Sequence, residues 1–305
     1  MADTDDAPLD ALVIGAGPAG LTAATYLARF RRRLRVIDAG TSRARWIPTS
    51  HNCPGFPFGV EGPRLLDRLR AQAESFGVEV QGGRITALRR DDEGVFTAEA
   101  GDGRRWRARH VLLATGIVDR MPHLHELEQA IGCGAVRLCA VCDAYEARDG
   151  RLAVYGPLAT ALTHAEFLRT FSSDVAVLPS DAAAPDAQAH ARAEAARLEL
   201  LPKPAAMRLD GETLCVRFAD GHERRFDSVY AALGGDAQSA LATALGARTD
   251  DNGELEVDAH QQTSVDGLYA IGDVVSALNQ ISVAVGHAAL AATAVHNRLP
   301  RNWRG

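Results

Sequence analysis

The chain has 305 residues, 47% of them hydrophobic and 24% charged, enough to bury one large core or two of ordinary size. Its formal net charge of −6 gives no reason to expect nucleic acid or an anionic membrane as partner, and no apolar run approaches the length of a membrane span. Five cysteines are too few for a disulfide scaffold and their odd number suggests a reducing compartment. Met1 to Asp10 is acidic and lacks the basic-then-apolar order of a signal peptide, so the expected location is cytoplasmic.

In chain order, Ala11 to Ile14 reads as a short apolar strand, followed by Gly15-Ala-Gly17-Pro-Ala19-Gly20 and a helical stretch from Leu21 to Phe30. Arg29 and Arg31 to Arg33 crowd the end of that helix, where its dipole favours cations. A second strand, Leu34 to Ile37, closes on Asp38. Gly15 suits the tight turn, Gly17 lets backbone approach a pyrophosphate at the helix N-terminus, Gly20 permits close helix–strand packing, and Asp38 can accept ribose hydroxyls. Glycines alone would be weak evidence; strand, loop, helix, strand and terminal acid in register indicate a dinucleotide-binding unit.

Ser50-His51-Asn52-Cys53-Pro54-Gly55-Phe56-Pro57 forms a rigid turn before a helix that has Pro63 in its first turn. Leu65, Leu66, Leu69, Ala73 and Phe76 line one face of that helix, and Gly77 ends it. Three strand-like pieces follow, about Ile85–Arg89, Val95–Glu99 and Arg104–Arg109, divided by turn signals at Asp92–Gly94 and Asp102-Gly103. A buried strand, His110 to Ala114, then runs into Thr115-Gly116.

Arg137 to Glu146 reads Arg-Leu-Cys-Ala-Val-Cys-Asp-Ala-Tyr-Glu. If a helix begins near Cys139, Cys139 and Cys142 lie one turn apart, with Cα atoms roughly 5–6 Å from each other, within the range of a disulfide. A helix N-terminus also favours thiolate, and Asp143 could carry the proton that thiol–disulfide exchange sheds and recovers. A zinc half-site or two ordinary buried thiols would fit the same spacing. Zinc wants four ligands, however, and Cys53, Cys133 and Cys215 with the nearby histidines supply no second pair at ligand spacing.

The chain then repeats itself. Leu152 to Leu178 aligns without a gap on Ala11 to Ile37 when Gly156 is laid on Gly15. Leu214 to Leu233 echoes the earlier meander, with Asp220-Gly221 on Asp102-Gly103 and Gly234 on Gly116. The last segment carries Gln262-Thr263-Ser264, Gly267 to Asp273, and a helical stretch from about Gln280 to Asn297. The fold expected is therefore α/β, with two Rossmann-like nucleotide-binding domains of three-layer type, the second inserted into the first.

These residues together resemble the thioredoxin reductase family of flavoproteins. The likeness rests on the first glycine loop, Ala114-Thr115-Gly116, Cys139-Ala-Val-Cys142-Asp143, and Gly272-Asp273 with Gln280-Ile281 downstream. It implies that residues 1–118 and 236–305 form a domain holding FAD, and that 119–235 form a smaller domain carrying the dithiol. By the same likeness, Cys142 is the flavin-proximal cysteine, Cys139 the interchange thiol and Asp143 the acid/base. The FAD contacts carried over are Gly15, Gly17, Ala19, Gly20, Asp38, Asn52, Ala114, Thr115, Gly116, Gly272, Asp273, Gln280 and Ile281. Similar proteins are homodimers, and the same state is expected here.

The departures bear on the electron donor. Leu158 stands where Gly17 stands in the first unit, Ala161 replaces Gly20 and Pro179 replaces Asp38. A leucine obstructs backbone approach to a pyrophosphate, and proline has neither carboxylate nor N–H for a ribose. Ser180 to Ala191 contains no Lys or Arg for a 2′-phosphate. The expectation is an inserted unit that keeps its fold and has lost ordinary NADPH binding; a variant NADPH site is the alternative. A ferredoxin-type donor and a thioredoxin-like protein acceptor are then one course. The other is a small dithiol as substrate with oxygen as acceptor, as in flavin-dependent dithiol oxidases. Those oxidases commonly carry His after the second cysteine, whereas Asp143 follows the reductase pattern. A non-catalytic FAD redox sensor is a third reading, which the intact Cys139, Cys142 and Asp143 disfavour.

Overall fold

The computed structural model describes residues 7–181, 184–275 and 278–304. They group into two compact units. One takes the chain up to Arg45, Gly62–Val118 and the part from Asp236 onward; the other takes Trp46–Glu61 and Asp119–Gly235. Residues 46–61, which the family resemblance assigns to the first domain, group with the second, and Trp46 packs on that unit's core. Among the described residues no helix is long and apolar enough to cross a membrane.

The first unit opens with β1 (Leu9–Ile14), α1 (Pro18–Arg29) and β2 (Leu34–Asp38). Proline is pre-set for the first turn of a helix, so α1 starts three residues before the apolar run that signals it in the sequence. Next come α2 (Gly62–Glu74), β3 (Val80–Gly82), β4 (Ile85–Arg90), β5 (Phe96–Ala100) and β6 (Arg105–Leu113). In α2 the buried positions are Gly62, Leu65 and Ala73. Phe76 lies past the helix end, exposed, with the Arg29 guanidinium 5.0 Å from its ring centroid. The arginine stem and charge cover that ring in place of the core.

A short strand β7 (Ile117–Asp119) leads into the second unit. That unit runs α3 (Leu127–Gly132), β8 (Val136–Arg137), α4 (Ala140–Asp143), β9 (Arg151–Gly156), α5 (Leu158–Leu168), β10 (Asp174–Pro179) and α6 (Ala187–Ala196). It continues with β11 (Glu199–Leu200), β12 (Ala206–Asp210), β13 (Thr213–Arg217), β14 (Glu223–Phe226) and β15 (Ser228–Ala231). The chain returns through β16 (Gly235–Ala237), which pairs with β7, to α7 (Ala240–Thr243), β17 (Leu268–Ala270) and α8 (Ile281–Arg298).

In the first unit β3-β2-β1-β6 are parallel, and β5 and β4 extend the sheet antiparallel. The two strand-like pieces expected at 104–109 and 110–114 are one strand, β6. Its first half pairs with β5 on one side and alternates toward solvent. Its second half, Val111 to Leu113, lies between β1 and β17 and is wholly buried. Two environments along one strand produce two hydrophobic patterns, which is why the sequence reads as two pieces. On the sheet, α1 and α8 pack through small residues, Ala19, Ala23 and Ala24 with Ala284, Ala288, Ala291 and Ala292, around the larger Leu27 and Val295. Each buried Leu or Val side chain contributes about 1.5–3 kcal/mol by removal from water.

The second unit has a five-stranded parallel sheet, β11-β10-β9-β15-β8, and an antiparallel meander, β12-β13-β14. The repeat read in the sequence is a structural one: β9, α5 and β10 reproduce β1, α1 and β2. The Ala114 N–H donates to Ile14 O at 2.8 Å, and the Ala232 N–H donates to Tyr155 O at 2.8 Å, the matching pair.

Candidate active site

The glycine loop of the first unit is locked by backbone contacts. Gly15 has φ +106°, and a Cβ there would run into the carbonyl of Ala114 at the end of β6. A Cβ on Gly20 would run into the carbonyl of Gly15. Loop, α1 and the Ala114-Thr115-Gly116 turn therefore fit together only without those side chains. Gln238 secures the turn: its N–H donates to Gly116 O at 2.9 Å, and its own carbonyl accepts the Thr115 hydroxyl at 2.7 Å. Gly17 differs. Its backbone is extended (φ −73°, ψ −174°), and a Cβ would meet only Ser42 Oγ, at 3.3 Å.

Packing therefore does not account for the absence of a side chain at Gly17, and the bare backbone leaves the approach that a pyrophosphate at the helix N-terminus needs. Gly17→Ala is expected to leave the melting temperature of the ligand-free protein within a few degrees while weakening flavin retention. Gly20→Ala should lower both, by about 1–3 kcal/mol of stability for an overpacked contact. Thermal unfolding with and without added FAD separates the two.

The remaining contacts expected for the cofactor, Asn52 apart, lie in the same unit. Asp38 Oδ1 accepts the Ala16 N–H at 3.0 Å and closes the loop, while Oδ2 faces Arg70 at 3.8 Å. A Cβ on Gly272 would sit 3.0 Å from Ala19 Cβ, so α1 and the Gly272 turn meet at small residues. Asp273, in a single 3-10 turn, pairs with Arg43 at 3.2 Å. Gln280 is the extended residue before α8 and Ile281 is the helix's first residue. Nearby, the buried Asn279 Oδ1 and His287 Nδ1 have no hydrogen-bond partner in the protein. Burial pushes the His287 pKa down, opposed by the Asp273 charge. Open space at Gly17, carboxylates at Asp38 and Asp273 and orphaned polar atoms by α8 suit a large polar dinucleotide such as FAD.

The dithiol sits in the second unit. Cys139 is the extended residue before α4 and Cys142 lies within that short helix. The Cα atoms are 5.3 Å apart and the sulfurs form a disulfide. Cys142 opens onto a cavity of about 250 Å³ that also exposes His51, Asn52, Tyr145, Glu146 and Phe171. Asn52 accepts a hydrogen bond from Ser50 Oγ at 3.1 Å. The other three cysteines are free. Burial raises the pKa of Cys53 and Cys215, which keeps them poor nucleophiles, and Cys133 is exposed.

Asp143, directly after Cys142, is held from behind. Its Oδ2 accepts Arg137 Nη1 at 2.9 Å; Arg137 Nε donates to Ser228 Oγ at 3.0 Å, and that hydroxyl donates to Gly134 O at 2.7 Å. Asp143 Oδ1 is buried without a hydrogen-bond partner in the protein, and Tyr230 Oη stands by the pair with no bond of ordinary geometry. Burial raises the Asp143 pKa, and the Arg137 charge and hydrogen bond pull against it. A carboxyl with a raised pKa holds its proton to higher pH than an exposed aspartate and is a better-matched acid for thiolate chemistry.

Neither Arg137, Ser228 nor Tyr230 stands out in the sequence as a site residue. They meet because β8 and β15 run parallel with Tyr230 opposite Arg137, a register that no local pattern announces. Arg43 is likewise not separable from plain surface in the sequence, since its partner is 230 residues away. Removing the cation with Arg137→Met should raise the Asp143 pKa further. The ionisation assigned to Asp143 in the pH profile of kcat then moves to higher pH, and Arg137→Lys restores part of the difference. A purely structural role for Arg137 would lower activity at every pH alike.

Two glycine-loop units, one interrupting the other and carrying a disulfide-bonded CxxC pair followed by a buried carboxyl, define a dinucleotide-linked disulfide oxidoreductase. The chain belongs to the pyridine nucleotide-disulphide oxidoreductase family, whose model matches residues 9–288. Thioredoxin reductase from Aquifex aeolicus (strain VF5) is 30% identical over 299 residues, covering 93% of this chain and 90% of that protein. Among solved structures, that of HlmI superposes with a TM-score of 0.89 at 27% identity, covering 96% of this chain and 93% of its own. Thioredoxin reductase from Streptococcus pyogenes MGAS5005 gives 0.86 at 28%, covering 96% and 98%. Within the family, the protein is a thioredoxin reductase-like, FAD-dependent disulfide oxidoreductase.

Proposed function

We propose that the protein moves two electrons between bound FAD and the Cys139–Cys142 disulfide, and onward to the disulfide of a thioredoxin-like protein or a small molecule, without NADPH as direct donor. The observation that carries this reading is the disulfide itself, backed by a buried acid at Asp143 and opening through Cys142 onto a cavity shared with Asn52. Relatives that bear the name thioredoxin reductase support a thioredoxin-like acceptor. Leu158 and Pro179 support a donor other than NADPH, because neither replaces what it displaces at a dinucleotide loop.

When bound, through the glycine loop, the Thr115 turn, Asp273 and the α8 N-terminus, FAD supplies the two-electron couple. The residues of this chain handle sulfur and protons. Two electrons and two protons convert the disulfide to the dithiol. Cys139 gives its proton to Asp143 and, as thiolate, attacks one sulfur of the acceptor's disulfide; the other sulfur leaves as thiolate and takes that proton back from Asp143. Cys142 then loses its proton and attacks Cys139, which re-forms the disulfide, and the second acceptor sulfur leaves as thiolate and takes up that proton. Arg137 holds the carboxylate in place throughout.

Anaerobic titration of the FAD-loaded protein tests the donor. Reduced ferredoxin and dithiothreitol should each bleach the flavin, and NADPH at micromolar concentration should not do so at a catalytic rate. Rapid bleaching by NADPH would overturn that part of the proposal. Flavin reduction by dithiols too slow for turnover would favour a sensor instead of an enzyme.

A further inference from the structure

Backbone contact alone is enough to require a glycine at the start of the second loop. A Cβ on Gly156 would run into the carbonyl of Ala232, as one on Gly15 would into Ala114. Beyond that shared glycine the two loops differ. In the first unit α1 begins at Pro18, whereas α5 begins at Leu158, one position earlier by the alignment of Gly156 on Gly15. The leucine therefore occupies the place of Gly17 and brings its N–H into the first turn of the helix. Its side chain is half-buried and packs against the hydrophobic cluster that includes Ala161, Leu162 and Tyr230.

N–H groups in the first turn of a helix have no partner within it, and with the helix dipole they form the place where phosphate binds. Here that place is taken. Just past β10, Asp181 turns back and its Oδ2 accepts the Leu158 N–H at 3.2 Å. The other oxygen, Oδ1, is buried with no hydrogen-bond partner in the protein. A carboxylate needed only to cap a helix would leave its second oxygen in water, where it is cheaply solvated. One buried alone against the loop fills the volume and supplies the negative charge of a phosphate oxygen. In the first unit the acid that closes the loop, Asp38, bonds Ala16, one residue before Gly17.

We infer that Asp181 is a built-in phosphate substitute that closes the second unit to dinucleotides, with Leu158 as the side chain that makes the closure fit. This rests on the proposed absence of NADPH as donor and supplies a cause for it: any incoming pyrophosphate must displace a bonded carboxylate of its own charge from the N-terminus of α5.

The test measures binding of ADP, which carries the pyrophosphate, to the FAD-loaded protein by calorimetry, with NADPH-dependent flavin bleaching followed in parallel. Asp181→Asn keeps the shape and a hydrogen-bond acceptor but removes the charge. Leu158→Gly with Asp181→Gly reopens the loop. Asp181→Asn should bind ADP roughly tenfold more tightly than the parent protein, and the double variant more tightly still. Affinities equal within about twofold across all three proteins, with flavin content and circular dichroism unchanged, would overturn the inference while NADPH stayed inert. Catalytic bleaching of the parent protein by NADPH would instead overturn the reading on which it rests.

Discussion

Cys142→Ser is expected to abolish thiol–disulfide exchange, by about 10³-fold or more, while leaving flavin bound. The substitution changes one atom and removes only the redox couple, so the loss would be chemical and not a consequence of packing. Apart from Asn52, which lines the same cavity as Cys142, the residues assigned to the cofactor lie in the other unit, beginning with Gly15 and ending at Gln280 and Ile281. A reductive titration makes the point quantitatively. The parent protein takes up electrons into two two-electron couples, and the variant into one. Full activity in Cys142→Ser would remove the cysteine pair from the mechanism.

Asp143→Asn should lower exchange by about 10²–10³-fold, the usual range for loss of a positioned acid. The rate alone would not distinguish a proton donor from a residue that merely holds Arg137, so the discriminating measurement is the pH profile. Burial raises the pKa of this carboxyl, so it remains protonated, and able to donate, to higher pH than an exposed aspartate. Raising the pH through that pKa should slow the parent protein. The substituted amide cannot titrate, and the corresponding limb should be missing from the variant's profile. A profile of unchanged form, merely lower, would assign Asp143 to structure.

How much of the molecule is legible in its sequence depends on whether the information is local. The glycine loop, the CxxC pair and the internal repeat are local patterns, and each corresponds to an element of the fold. The roughly 5–6 Å separation expected of Cys139 and Cys142 compares with 5.3 Å in the structure, although Cys139 precedes the helix instead of opening it. Phe76 shows the opposite case. It continues the helical period of Leu65, Leu69 and Ala73, yet the helix ends at Glu74 and the ring lies outside the core. Periodicity carries no mark for its own last turn. Arg137, Ser228 and Tyr230 converge through strand register, and Arg43 reaches Asp273 across most of the chain. Such meetings are properties of topology, which a single sequence does not display.

The contact between Gly156 and Ala232 bears on how mutational tolerance in such duplicated chains is to be read. A saturation scan would score Gly156 as intolerant, as it would Gly15, because both positions face a carbonyl across the same gap. On the proposed reading, the first intolerance coincides with cofactor retention and the second does not. In a doubled fold of this kind, an irreplaceable loop glycine therefore testifies to how the backbone closes on itself, and the identity of the residue two places later is the better witness to whether anything binds.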